Sequence, residues 1–155
     1  MKRLAASSPC PCGRFAGKDG TALAQVKSTQ QGPQGKLLSY GDCCGRWLED
    51  ATQTAQPPDA QSLMRSRYSA FVLEREAWLL QSWATSHRPP SIAFDPATRW
   101  LGLDLRSHRQ TGDASAEVEF VARQKPASGP ALRLHERSRF VWEAGRWLYV
   151  DGDAL

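Results

Sequence analysis

All four cysteines of the chain fall in two tight pairs, Cys10 and Cys12 in CPCGRF and Cys43 and Cys44 in YGDCCG. Thiolates spaced this way can close around one tetrahedral ion when the second pair comes from a facing turn, whereas adjacent cysteines rarely bridge to each other. Sulfur donors select zinc or, as the alternative, iron. Gly13 and Gly45 follow the two pairs, and glycine there permits a tight turn that aims amide N–H groups at sulfur. No histidine lies near enough in sequence to replace a cysteine. The predicted ligands are therefore Cys10, Cys12, Cys43 and Cys44, against the plainer reading of four free thiols on a loose leader.

Composition supports a metal over disulfides. The chain has 155 residues, of which 41% are hydrophobic and 23% charged, enough for one core with a small appendage. No apolar run approaches the roughly 20 residues that span a bilayer, and MKRLAASSPC has no apolar stretch of the kind a secretory signal needs. A cytoplasmic protein is expected, and thiols stay reduced there. The net charge is +4, but the twenty basic residues are scattered among sixteen acidic ones. Nucleic-acid binding is thus disfavoured, though not excluded.

CPCG followed by CCG resembles the SEC-C motif, the metal-binding knuckle also found at the C-terminal end of the SecA translocation ATPase. QSLMRSRYSAFVLEREAWLLQSWATSH and LHERSRFVWEAGRWLYVDGD are similar to the YchJ family of small bacterial proteins. The resemblance covers both ends of the knuckle and nearly all of residues 60–153. It implies a knuckle over residues 1–50, a linker over 51–59, and a cone-shaped α+β domain of the nuclear-transport-factor-2 (cystatin-like) type over 60–155. One departure stands out. Residues 13–42, thirty in all, separate the cysteine pairs, where the motif ordinarily has about eight. Closure entropy grows with the logarithm of loop length, so the insertion costs about 1 kcal/mol against about 10 or more for binding structural zinc. The insertion is polar and rich in glycine; it reads as an exposed loop or as a hairpin of TALAQV and GKLLSY.

The elements that must carry the rest follow from punctuation and periodicity. Pro57 and Pro58 stop any helix arriving from Gly45, and Asp59 can cap the next one. Leu63, Met64, Tyr68, Phe71 and Val72 share a helical arc, continued by Ala77, Trp78, Leu79 and Trp83. This predicts either two short helices bent near Leu73–Glu76 or one long one. After Pro96 the pattern alternates. Leu101, Leu103 and Leu105 form one face, Ala116, Val118, Phe120 and Ala122 the next, and Leu132, Leu134, Phe140 and Trp142 a third. Turns fall at 111–113, 127–130 and 144–145. Four antiparallel strands in meander, with helices on one face, make an α+β fold.

Function is less determined. His87, His108 and His135 lie on different elements, Glu117 and Glu119 read as a hydrated strand face, and no phosphate loop or HExxH pair occurs. Trp78, Trp83, Trp100, Trp142 and Trp147 read as core or as pocket lining. Trp47 beside the knuckle, with Arg14, Lys18 and Arg46, is a candidate contact for an acidic protein or ribosome-associated partner. Arg67 projects from within the apolar helical arc, and Glu136 shares the inner parity of its strand. A buried ion pair is predicted between them, with Tyr68 and Ser138 as further hydrogen-bonding groups, either locking helix to sheet or forming a pocket floor. The expected protein is a metal-binding interaction module or chaperone-associated adaptor. A small-ligand binder or enzyme using the cone, or a nucleic-acid or ribosome binder using the basic knuckle, are the alternatives. A homodimer through the sheet is possible, and the cone is expected to keep its fold without metal.

Overall fold

The computed structural model of the chain describes residues 2–16 and 36–155; Lys18 and the predicted strand TALAQV lie outside them. The described part of GKLLSY pairs with the first cysteine segment. Leu38 N–H donates to Arg14 O (2.9 Å), Cys10 N–H to Leu38 O (2.9 Å) and Tyr40 N–H to Ser8 O (2.7 Å). This short ladder brings the two ends of the insertion together, with further pairing between Phe15 and Leu37.

Three helices follow, α1 (Gly45–Leu48), α2 (Ala60–Leu73) and α3 (Glu76–Gln81), and then four strands, β1 (Arg99–Gly112), β2 (Ser115–Lys125), β3 (Leu132–Glu143) and β4 (Arg146–Ala154). Asp59 caps α2 as predicted, its carboxylate accepting Ser62 N–H at 2.6 Å, which satisfies one of the helix's unpaired donors. Glu74 ends the helix in the left-handed region (φ 59°), so the chain bends where two helices were expected. Arg75 holds the corner, donating to Leu73 O (2.8 Å) and Lys2 O (2.6 Å).

The sheet is an antiparallel meander in the order β1-β2-β3-β4. Ala116, Val118, Phe120 and Ala122 all face inward and are buried. A bulge between Trp100 and Gly102 breaks the alternation expected for β1. Trp100 and Leu103 pack on the core while Leu101 is exposed. Such bulges bend and twist a strand, and three on β1 with one on β4 curve the sheet. Ala144 and Gly145 form the β3–β4 turn with φ of 50° and 79°, the sign that suits two-residue hairpins. Periodicity did not show one pairing. Tyr149 N–H donates to Ser82 O and Ala84 N–H to Tyr149 O, which lays the chain after α3 along β4. The outer face carries cross-strand ion pairs, among them Arg109–Glu117, Arg123–Asp104 and Arg139–Asp151.

Twelve of the fourteen α2 residues are buried, including Gln61, Ser62, Arg65, Ser66, Arg67 and Ser69. A helix buried on all sides lies between two layers. Here one layer is the sheet and the other is the knuckle. One continuous core joins Cys10, Cys12, Tyr40, Cys43, Cys44 and Trp47 to α2 and to Val118, Phe120 and Phe140. The expectation that the cone keeps its fold without metal requires a core of its own, and the core is shared: α2 is buried by the knuckle on one side and by the sheet on the other.

The connection after the knuckle is tied down by one carboxylate. Asp50 accepts N–H bonds from Thr52, Thr54 and Ala55, each at 2.9 Å, and the Thr52 hydroxyl. These bonds, that of the Thr52 hydroxyl foremost, pull its pKa down to about 2. Because the folded value lies below the unfolded one of about 4, the turn's contribution is complete above that range and is lost as pH falls through about 2. An NMR titration of the Asp50 carboxyl should give a midpoint near 2, and an ordinary midpoint would show that it does not hold the turn.

Candidate metal centre and cavity

The two cysteine pairs converge. The four sulfur atoms lie within 4.8 Å of one another, with Cys12 to Cys43 at 3.6 Å and Cys43 to Cys44 at 3.9 Å. Zinc–sulfur bonds of about 2.3 Å set the edges of a tetrahedron at about 3.8 Å, between the two observed values. A disulfide needs about 2.05 Å, so these are unlinked thiols at metal spacing. All four are buried.

Local sequence explains the convergence. Cys43 and Gly45 both donate backbone N–H bonds to Tyr40 O, at 3.1 and 2.7 Å, and this turn presents the second pair. A Cβ at position 45 would lie 2.6 Å from Tyr40 O, so only glycine permits the approach. Tyr40 itself is buried, and its hydroxyl donates to Glu49 (2.7 Å), which is ion-paired with Arg75 (2.9 Å). Helix α2 supplies the outer shell. The Ser69 hydroxyl lies 3.7 Å from Cys10 Sγ, Arg65 donates to Cys12 O (3.0 Å), and Arg14 donates to Ser62 (2.9 Å).

The electrostatics suit a cation. Hydrogen bonds from Cys12, and then from the other thiols, hold Cys10 far below the ordinary thiol range. The same bond shared with Cys10 pushes Cys12 up. Cys43 is raised by Cys10 but lowered more by Cys12 and Cys44 together, and burial pushes Cys44 up. Four adjacent thiols cannot all ionise unaided, and a coordinated metal deprotonates them outright. A divalent ion with four thiolates has a net charge of about −2. The two buried arginines beside the site, Arg14 and Arg65, are the matching counter-charge. The residues therefore fit a closed, four-thiolate metal, with no water-bearing position required.

The candidate partner contact does not form as a surface. Trp47 is only 5% exposed and belongs to the core, because α1 turns its indole inward onto the knuckle. Arg14 is buried too, its guanidinium turned onto Ser62 of α2. Arg46 alone of the described group is exposed, lying over the Trp47 ring at 4.7 Å.

A second site lies between α2 and the inner face of the sheet, a cavity of about 570 Å³. Arg67, Tyr68, Glu136 and Ser138 all line it, yet the predicted Arg67–Glu136 ion pair is absent. Arg67 Nη1 donates to Leu79 O (2.9 Å) and Ser82 Oγ (2.7 Å), and the guanidinium lies over Tyr149 (4.4 Å) and Trp83 (4.8 Å). Glu136 Oε1 accepts instead from Ser138 (2.7 Å) and from the Tyr149 hydroxyl (3.0 Å). Tyr149 thus stands where the pair was expected, its ring over the cation and its hydroxyl on the anion. Gly152 makes room for the carboxylate, since a Cβ there would meet Glu136 Oε1 at 2.0 Å. Burial pulls the Arg67 pKa down to about 10 and pushes that of Tyr68 up to about 12.

Of the tryptophans, Trp83 and Trp100 line the cavity. Trp78 is buried against Ser66 (2.9 Å), and Trp142 pairs edge-on with Trp147. His135 points outward, 2.7 Å from Glu119. Sequence reasoning missed Ser62, Arg65 and Ser69 on the knuckle side of α2. Their three-to-four-residue spacing was the available signal, since a polar stripe on a helix can face a metal knuckle as well as water.

Residues 59–152 match the family model described as the YchJ middle NTF2-like domain. A UPF0225 protein of Polaromonas sp. (strain JS666) is 57% identical over 144 residues, covering 93% of this chain and 91% of that protein. A UPF0225 protein of Cupriavidus metallidurans is 46% identical over 152 residues, covering 94% and 89%. Two solved structures of SEC-C motif containing proteins are similar. That from Rhodopseudomonas palustris has a TM-score of 0.66 at 29% identity, covering 78% of this chain and 95% of that one. That from Psychrobacter arcticus has a TM-score of 0.68 at 25% identity, covering 94% and 82%.

Elemental analysis of the freshly purified chain should find about one equivalent of a thiophilic metal, and a Cys12→Ser, Cys43→Ser double variant should lose it. Stoichiometric metal in that variant would remove the assignment.

Proposed function

The chain belongs to the YchJ family, and on that premise we propose that it is a zinc-stabilised binding protein whose working surface is the cavity and whose metal is structural. The observation that carries this reading is the contrast between the two sites. The thiolates are sealed under α2, while the cavity is lined by aromatic side chains and ends in a buried guanidinium. Pockets of this size and composition hold small molecules.

The metal's part is to hold the N-terminal segment on α2, the helix that also forms one wall of the cavity. Zinc suits four thiolates in a closed tetrahedron better than an ion needing open positions. An adaptor role then runs through what the cavity holds and not through a basic, aromatic face on the knuckle, since Trp47 and Arg14 are occupied within the chain. The polar groups lining the cavity are arranged for recognition: Glu136 is held by Ser138 and Tyr149, and Arg67 by Leu79 and Ser82. None of the chain's three histidines is paired with them. No helix among the described residues is long and apolar enough to cross a membrane.

Two measurements test the reading. Chelation should remove zinc and lower the thermal midpoint of the whole chain in a single transition, restored by adding zinc, because knuckle and sheet share one core. N-phenyl-1-naphthylamine, a neutral apolar fluorophore, should bind saturably with energy transfer from Trp83 and Trp100. An unchanged midpoint after zinc removal would overturn the structural metal, and absence of saturable fluorophore binding would overturn the cavity.

A further inference from the structure

Resting on the reading of the cavity as a binding site, we propose that its ligand is a small monocarboxylic acid with a flat apolar body. Arg67 is 4% exposed, and its partners among the described residues are neutral: Leu79 O and Ser82 Oγ, both bound to Nη1. Nε and Nη2 have no hydrogen-bond partner among the described residues. They are not sealed off either, since the only fully enclosed, unpartnered side-chain nitrogen or oxygen among the described residues is Arg65 Nε. These two donors are therefore open to the cavity that Arg67 lines.

A buried cation without an anion in contact is poorly compensated. Trp83 and Tyr149 cover the guanidinium at 4.8 and 4.4 Å, leaving its edge as the part free to bind. The edge of a guanidinium matches a planar carboxylate, two N–H donors to two oxygens. Beyond it the walls are Met64, Phe71, Phe94 and Trp100, which suit fused rings. Glu136 lines the same space, with Oε1 already occupied by Ser138 and Tyr149. Of the other charged residues in the lining, Lys2 and Glu74 are paired with each other at 3.3 Å and Asp95 and Arg133 are exposed, so Glu136 is the charge nearest the buried end, and a second negative charge on a ligand seated there is repelled; diacids and phosphate dianions are disfavoured.

Calorimetric titration of the full, zinc-loaded chain with 2-naphthoate, its neutral analogue 2-naphthamide, and naphthalene-2,6-dicarboxylate tests this. The naphthoate should bind at least about tenfold more tightly than the amide, the difference a charged hydrogen-bonded pair makes. The dicarboxylate should bind more weakly than the naphthoate. Arg67→Gln should erase the preference for naphthoate over amide. Should that buried change prevent folding, Glu136→Gln, which leaves Arg67 intact, should relax the rejection of the dicarboxylate. Equal binding of naphthoate and amide overturns the carboxylate assignment while leaving the cavity a binding site, and equal binding of mono- and dicarboxylate overturns the single-charge requirement. Failure of all three compounds and of the neutral fluorophore overturns the cavity reading as well.

Discussion

Four sulfur atoms within 4.8 Å of one another, all buried, impose the constraint from which most of this structure follows. Bound to a divalent ion, they would carry about two negative charges into a buried place, and that charge must be met by the chain. Arg14 and Arg65 meet it, one from the knuckle and one from α2. This explains a helix that would otherwise look badly designed, with Ser62, Arg65 and Ser69 buried among apolar residues. Its polar side is not a solvated face; it is the receiving surface for a charged metal knuckle.

The same helix defines the cavity from its other side. Met64, Arg67, Tyr68 and Phe71 line the space above the sheet, and the sheet's inner parity runs further than the helices cover. On β3, Phe140 is buried whereas Leu132, Leu134 and Trp142, at the same parity, are more than two-fifths exposed. The sheet is curved by its bulges, and its inner face, apolar on β3 except at Glu136 and Ser138, is sealed only at Ser138 and Phe140. Leu134 belongs to the cavity lining. Exposed Leu134 is thus the edge of a recess and not an error in the core.

Much of this was legible from residue types. Paired cysteines pointed to a metal site, and the structure brings their four sulfur atoms together; Asp59 follows from a local capping rule, while the break after Leu73 was one of two readings that periodicity left open. Strand parity correctly turned Ala116, Val118, Phe120, Ala122 and Glu136 inward, and the helical arc did the same for Arg67. Parity reports direction only. It cannot tell whether two inward groups touch, and here Tyr149 takes the intervening place because Ser82–Ala84 runs along β4, a long-range pairing without a periodic signature. Trp47 was misjudged for a related reason. Exposure of a residue beside a small knuckle depends on what the knuckle packs against, and the polar stripe of α2 concealed that it was the other layer.

The two sites are consequently not independent modules joined by a linker. Ser69 reaches Cys10 on the knuckle side, and Arg67, two residues earlier, reaches Ser82 beneath the cavity. Between them Ser66 accepts the indole N–H of Trp78, which ties α3 to the same turn. A shift of α2 by a fraction of a turn would misplace both sets of bonds at once. Packed cores respond to such shifts as units and not by gradual deformation, so the metal stands to set the position of Arg67 without touching it. The structure thus gives a physical reason for one short chain to carry both a buried thiolate centre and a cavity. The first packs on one side of the helix, and the second is lined by the residues that the helix presents on the other.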